Sequence, residues 1–426
     1  MSLLRVKEKL TKSSAVMLAI IAGVSAAGVF SQLGIVRSSL VLKVLAVGAF
    51  YASTCYSISV IYRNRERLSA YGVLLFVSVA SVYPVASSVV QFIEVGTFRA
   101  ATDLLFVHGG YYQLPVNAIA LGMVARVSGN GVDALRRYAS FSVPVGALVV
   151  AVLSMGSAEG SIGIAHVVMD NFFVPSSLLA CVAIGKGGVL IGAVGVFMML
   201  ITSSLIWSRS YSIVSLVLLL GSLQCQLASS KGGGRGATIL FVAVFAVVFG
   251  VVGSFAVTSS SLVQESSLQE KWGLDSLSKA FGLAVEQGSV VPLWEWEGNS
   301  RRGIIDDAFS GFTTRDWLLG KGLLAEYDSF VARSTIEIGV AQELFRWGAL
   351  YVLSNLFLTV FSIARLMRIR RHSDWLKILF VVLVARFVDS MFFGLPRISV
   401  YSLLAFTSVS AVVCLREESS EKVGLA

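Results

Sequence analysis

Of the chain's 426 residues, 56% are hydrophobic and only 14% charged, whereas soluble globular domains average about 25% charged. That balance excludes an ordinary soluble domain, and apolar runs near twenty residues, long enough to cross about 30 Å of hydrocarbon, mark an all-α polytopic membrane protein. The net charge of +9 does not signal nucleic acid, because the basic residues gather in short loops between apolar runs, as membrane orientation requires.

Arg5, Lys7, Lys9 and Lys12 place the N-terminus in the cytoplasm. Transmembrane spans are then expected at 14–34, 41–62, 69–91, 104–125, 139–157, 171–185, 188–207, 211–228, 237–258, 345–366, 376–394 and 398–414, about twelve helices within a range of 11–14. Alternation from that start puts Arg63, Arg65 and Arg67, then Arg126, Arg136 and Arg137, then Lys231 and Arg235, and then Arg365 to Lys377 on the cytoplasmic side, together with the C-terminus. The six prolines and the lack of alternating ten-residue segments argue against a β-barrel. Cys55, Cys181, Cys225 and Cys414 fall within spans or at their ends and read as small core residues. The first apolar run, from Ser14, has no cleavage site after it and reads as a span, not a signal peptide. No internal repeat is evident. Three regions result: a bundle of about nine helices over 1–258, one large periplasmic loop containing short helices over 259–342, and about three helices with a cytoplasmic tail over 343–426.

Several polar groups stand where hydrocarbon is expected. Arg386 and Asp389 lie three residues apart inside the eleventh span, on one helix face. Charges at that depth are costly; they mark either a functional site or an ion pair that locks two helices. Arg397 follows just beyond. Near the outer end of the fourth span, Asp103, His108, Tyr111, Tyr112 and Gln113 suit sugar recognition by hydrogen bonding and stacking, or else an interfacial tyrosine belt. Arg209 sits outside, between the seventh and eighth spans, and joins Arg301 and Arg302 of the large loop as a candidate anion clamp.

Two tempting motifs carry little. The run Lys231-Gly232-Gly233-Gly234-Arg235-Gly236 has the glycine content of a phosphate loop without its spacing. Asp306-Asp307 lacks the spaced partner that a metal site needs, and scattered histidines supply none. Within the loop, Asp306 to Phe312 and Trp317 to Tyr327 read as short helices separated by a turn at Thr313-Thr314, and Trp294 and Trp296 read as stacking or interfacial residues.

Ser208-Arg209, the basic turn Lys231–Arg235, Arg301 or Arg302, Gly320-Lys321-Gly322, and Trp347-Gly348-Ala349-Leu350 follow one another in this order. The arrangement over residues 200–365 resembles the O-antigen polymerase and ligase superfamily: an outer Ser-Arg pair, two spans joined by a basic turn, then a periplasmic loop with an arginine ahead of a GxG turn. Arg302 and Arg301 stand eighteen and nineteen residues before Gly320, so either fits. Ligase relatives carry a histidine ahead of the last glycine; eleven residues before Gly348 this chain has Glu337, and the loop has no histidine.

The resemblance implies a glycosyltransferase of the bacterial inner membrane, with its active site facing the periplasm. It implies metal-independent polymerisation of oligosaccharide repeat units, with undecaprenyl-pyrophosphate-linked oligosaccharide as both donor and acceptor, no cofactor, and a chain-length regulator protein as a partner. Arg209 with Arg301 or Arg302 would stabilise the leaving pyrophosphate, and Glu337 or Glu343 would take the acceptor's proton. Asp103, His108, Tyr111, Tyr112, Trp294, Trp296, Arg386, Asp389 and Arg397 would contact substrate. The alternatives are a ligase that transfers glycan to lipid A-core, and, from another class, a lipid-linked glycan flippase or transporter, whose charges would line a cavity through many spans.

Overall fold

The computed structural model describes residues 2–36, 39–86, 89, 110–128, 131–154, 161–182, 188–205, 209–227, 286, 308–322, 339–370, 373–392 and 398–415. Among these residues the chain is almost wholly helical, and the only β-type pairing is one isolated bridge between Leu68 and Leu415. The helices in chain order are α1 (Ser2–Val36), α2 (Leu40–Arg63), α3 (Ala70–Val77), α4 (Gly110–Ser128), α5 (Gly131–Ser154), α6 (Ser161–Val168), α7 (Val189–Leu205), α8 (Arg209–Leu227), α9 (Thr314–Leu319), α10 (Gly339–Ile369), α11 (Asp374–Phe392) and α12 (Val400–Val413). Ten of the expected spans overlap one of them; 171–185 falls instead on a run of short helical turns between α6 and α7, and 237–258 lies outside the described residues.

By length and apolarity, five described segments suffice to cross a membrane: Ser13–Ser31, Leu40–Arg63, Gly131–Val152, Ile164–Cys181 and Val340–Ile369. Helix α11 is absent from that set because Asp374, Lys377, Arg386 and Asp389 interrupt its apolar run. It is nonetheless among the most enclosed helices, with Ile378, Leu379, Val381, Val382, Leu383 and Ala385 all buried between α8, α10 and α12. Its charges are housed by protein rather than by lipid.

Polar contacts as well as apolar ones hold the bundle, as expected where lipid removes the hydrophobic drive between helices. The Asn117 side chain on α4 accepts from Ser53 at 2.7 Å and Ser57 at 2.8 Å on α2, and donates to Thr54 at 3.1 Å. On α12, Ser410 donates to the Ala118 carbonyl at 3.2 Å. Cys181, Cys225 and Cys414 are buried as expected, but Cys55 faces outward from α2.

The sixth span differs from expectation. It starts at Ser161, well before residue 171, and passes through a π-helical turn, Met169–Phe173, into Val174–Ser177 and a 3-10 turn, Leu178–Cys181. Asp170 therefore sits inside the helix instead of above it. A hydropathy window penalises a carboxylate wherever it stands; here Tyr211 satisfies it through a hydrogen bond, so the helix carries it.

The two ends of the bundle differ. At one end Leu68 pairs with Leu415 beside Arg63, Arg65 and Arg67, Gly131 lies against the Trp375 ring, and Arg370 donates to Gln224 at 3.3 Å. At the other end lie Tyr83, Asp170, the start of α8, α9, the start of α10, and Arg386 with Asp389.

Candidate functional site

The site begins with a short helix that the sequence sets precisely enough to build. Thr313 caps α9: its hydroxyl accepts from the Asp316 amide at 3.2 Å, and Asp316 accepts in return from the Thr313 amide at 3.0 Å, a reciprocal capping box. Thr313-Thr314 is thus the start of the second loop helix and not a turn ahead of it. The helix ends at Leu319, short of the expected Tyr327, because Gly320 takes φ +76°, a conformation that only glycine adopts without strain. Phe309 and Phe312 pack against Phe345, with Phe309 stacked on Trp317 at 5.2 Å and Phe312 5.7 Å from Phe345.

From there the chain is stitched to α10. The Lys321 amide donates to the Phe345 carbonyl at 2.8 Å, and the Gly322 amide to the Arg346 carbonyl at 2.9 Å. A break in α10 makes this possible. Gly348 has φ +72° and ψ 177°, so the segment ahead of it does not continue the axis of the long helix behind it. The Glu343 and Asn355 side chains lie close enough to interact although twelve positions separate them, about 18 Å along a straight helix. The segment carrying Glu343 must therefore fold back along α10. Tyr83, which follows a π-helical turn (Ser78–Val82), fastens the junction by donating to the Trp347 carbonyl at 2.9 Å. Its ring stands 5.7 Å from Tyr351, which with Trp347 forms a small separate core.

Beside this junction lies a buried group of charges. Arg386 donates to Asp389 one helical turn on, and the two side chains are only 14% and 15% exposed. Tyr401 on α12 lies under the Arg386 guanidinium, 5.9 Å from it. Glu343 and Asp170, 6% and 8% exposed, both act electrostatically on Arg386. Asp170 accepts from the Tyr211 hydroxyl at 2.7 Å, and the Tyr211 ring packs on His166 at 5.1 Å. The neighbouring Asn171 accepts from the Val400 amide at 3.1 Å, and its carbonyl accepts from Tyr138 at 2.8 Å. The π turn is thereby pinned to α12 and α5. π-Helical turns of this kind are frequent at functional sites.

The structure brings three of the expected residues together: Glu343, Arg386 and Asp389. Arg209 opens α8 two residues before Tyr211, so its backbone lies within one turn of the residue that holds Asp170. Tyr111 and Tyr112 lie in the first turn of α4. Asp103, His108, Trp294, Trp296, Arg301, Arg302, Glu337 and Arg397 lie outside the described residues. Sequence reasoning did not single out Asp170, Tyr211, Tyr401 or Tyr83. Asp170 had a signal, a carboxylate abutting an apolar run; the tyrosines had none, since each reads as an ordinary aromatic of a span.

The fold and this site define a helical membrane protein with a buried polar centre at one end of its bundle. No family model matches the chain, and no curated protein or solved structure matches it either.

Proposed function

We propose that the chain is a glycosyltransferase that polymerises lipid-pyrophosphate-linked oligosaccharide repeat units at the periplasmic face of a bacterial inner membrane. The observation that carries this reading is the joining of two motifs far apart in sequence. The Gly320-Lys321-Gly322 turn is hydrogen-bonded to the segment ending at Gly348, and that segment carries Glu343, which acts electrostatically on Arg386. A loop and a span thus share one site, as a transfer between two membrane-tethered substrates requires.

In the reaction, a hydroxyl oxygen of the acceptor sugar bonds to the anomeric carbon of the donor. The bond from that carbon to the pyrophosphate oxygen breaks, and its electron pair leaves with the lipid pyrophosphate. The hydroxyl proton passes to a carboxylate, Glu343 or Glu337. Arg209 with Arg301 or Arg302 stabilises the charge that grows on the leaving group, a role preorganised cations fill well in a site of low dielectric. Trp294 and Trp296, with Asp103, His108, Tyr111, Tyr112 and Arg397, contact sugar rings around this centre.

The test is the purified full-length protein in lipid nanodiscs, supplied with lipid-linked repeat units and neither nucleotide nor added metal. A ladder of lengthened lipid-linked glycans is the expected product. No ladder, together with transfer to added lipid A-core, would identify a ligase. No transfer, with movement of the lipid-linked glycan between leaflets of a sealed vesicle, would identify a flippase.

A further inference from the structure

Three large apolar side chains in succession stand open on the loop helix α9: Trp317, Leu318 and Leu319, which are 44%, 46% and 43% exposed. Single exposed apolar residues are ordinary, but three that together turn through about 200° of a helix form a patch. The patch is held in place. Phe309 covers one face of the Trp317 ring, stacked at 5.2 Å, and Phe312 meets that ring edge-on at 5.3 Å. The capping box fixes where the helix starts, and Gly320 fixes where it ends.

The depth of the patch follows from what the α9 backbone touches. The Leu318 carbonyl lies against Gly348 of α10, 2.3 Å from where a Cβ would stand, and Tyr83 donates to the Leu319 carbonyl at 3.5 Å. Two residues past Gly348, α10 begins an exposed apolar stripe: Leu350, Leu353, Phe357, Val360 and Phe361, at the three- and four-residue spacing of one helix face. That helix is long and apolar enough to cross a membrane, so its stripe faces acyl chains. Val82, one residue before Tyr83, is exposed as well. The α9 patch thus continues the lipid-facing surface at its upper edge, where hydrocarbon gives way to headgroups. Tryptophan is enriched at that level. Arg315, which is exposed, and Lys321, whose ammonium lies 4.7 Å from the Phe312 ring, supply the basic flanks typical of helices that lie in the interface.

We propose that α9 is a membrane-surface anchor: Trp317, Leu318 and Leu319 insert into the phospholipid leaflet at this end of the bundle and hold the Gly320-Lys321-Gly322 turn near the plane of the lipid phosphates. A glycan is the poorer match, because Leu318 and Leu319 offer its hydroxyls no hydrogen bond. The anchor goes beyond the polymerase reading and stands without it. Under that reading it sets the loop's half of the site at the level of a lipid-linked pyrophosphate.

The test uses the full-length protein with Cys55→Ala, the other three cysteines being buried. Leu318→Cys and Leu319→Cys, made singly, carry a nitroxide label in nanodiscs of phosphatidylcholine and phosphatidylglycerol. Power saturation with oxygen and with a water-soluble nickel complex reads the depth of each label. Leu353→Cys on the α10 stripe is the hydrocarbon reference, and Glu66→Cys, exposed between Arg65 and Arg67, is the aqueous one. Both α9 labels are expected between the references, about 5–10 Å into the headgroup and acyl boundary. Nickel accessibility equal to that of Glu66→Cys would overturn the anchor and leave the patch to a glycan or a soluble partner. Labels screened from both reagents would overturn it as well, since protein then covers the patch; broadening between labels would identify that cover as a second copy.

Trp317→Phe gives a second measurement that needs no label. The emission lost on this substitution in ordinary lipid belongs to Trp317, and lipid brominated near the headgroup end of its acyl chains is expected to quench it. A Trp317 contribution undiminished in brominated lipid would overturn the anchor. Neither readout involves chain elongation, so a protein that elongates nothing removes the polymerase and leaves the anchor to these two measurements.

Discussion

The amide of Gly322 donates to the carbonyl of Arg346 at 2.9 Å, and this contact ties the turn after a loop helix to the residue two before the break in α10. Around it the two backbones touch. A Cβ on Gly320 would stand 2.3 Å from the Arg346 carbonyl oxygen, and a Cβ on Gly348 would stand 2.3 Å from that of Leu318. Each glycine is required twice, by its positive φ and by the neighbouring chain.

Gly320→Ala and Gly348→Ala are therefore expected to cost more than the ~1–3 kcal/mol of backbone strain alone, because the clash is with backbone that cannot swing aside. Gly311 is the control: its φ is +73°, but nothing lies within 4 Å of its Cβ position, so Gly311→Ala should show the strain and no more. Thermal unfolding of the three purified variants orders them, and equal losses would refute the role given to the contact.

Tyr83→Phe removes the hydrogen bond to the Trp347 carbonyl but keeps the ring against Tyr351. The expected loss is ~1 kcal/mol. Tyr83→Ala loses the ring packing too and should be clearly less stable than Tyr83→Phe in the same unfolding assay.

For Arg386 and Asp389, removing one partner of a mostly buried pair strips the other of the counter-charge bonded to it, a penalty of up to about 3–5 kcal/mol. Arg386→Met or Asp389→Leu alone should be severely destabilised, and the double substitution should regain part of the loss. Stability of all four proteins in a double-mutant cycle gives the coupling; additivity would show that the pair is not mutually dependent.

The Asp316 carboxylate is held below its usual range, chiefly by the backbone N–H of Thr313. A depressed folded value means that its contribution is complete above the unfolded pKa, about 3.9, and is lost as pH falls through the lower folded value. The α9 segment should thus be indifferent to pH between 5 and 8 and loosen only in stronger acid. Thr313→Ala should weaken it by ~1 kcal/mol at neutral pH. A fluorine label on Trp317, which stacks on Phe309, reports both; a transition above pH 5 would contradict the capping box.

If the arginine clamp operates, Arg209→Ala, or Arg301→Ala with Arg302→Ala, should leave protein in the membrane and reduce surface glycan to at most one repeat unit on lipid A-core. Long chains persisting with all three arginines removed would end that assignment.

Much of the architecture was legible because membrane helices are written in one dimension: an apolar run of sufficient length has few other stable forms in lipid. Intramembrane charges were legible for the same reason, and Arg386 and Asp389 were found by being out of place. The failures share a cause as well. The expected span 171–185 starts just past Asp170, although Tyr211 makes that carboxylate tolerable inside a helix. Thr313 was read as a turn, although Asp316 makes it a cap. In both cases the partner that changes the meaning of a residue acts through a side chain whose position a hydropathy window does not carry.

The chain alone determined that this is a helical membrane protein, where its apolar segments run, and that Glu343, Arg386 and Asp389 are polar groups in need of company. Tertiary structure decided which company. The fold-back at Gly348 carries Glu343 toward Arg386, the π turn delivers Asp170 to the same place, and Tyr401 closes the group from α12. Desolvation makes isolated buried charges too costly to persist, so the helices must pack to gather them, and that gathering depends on contacts between residues far apart in the chain, such as Asn171 and Val400, 229 positions apart.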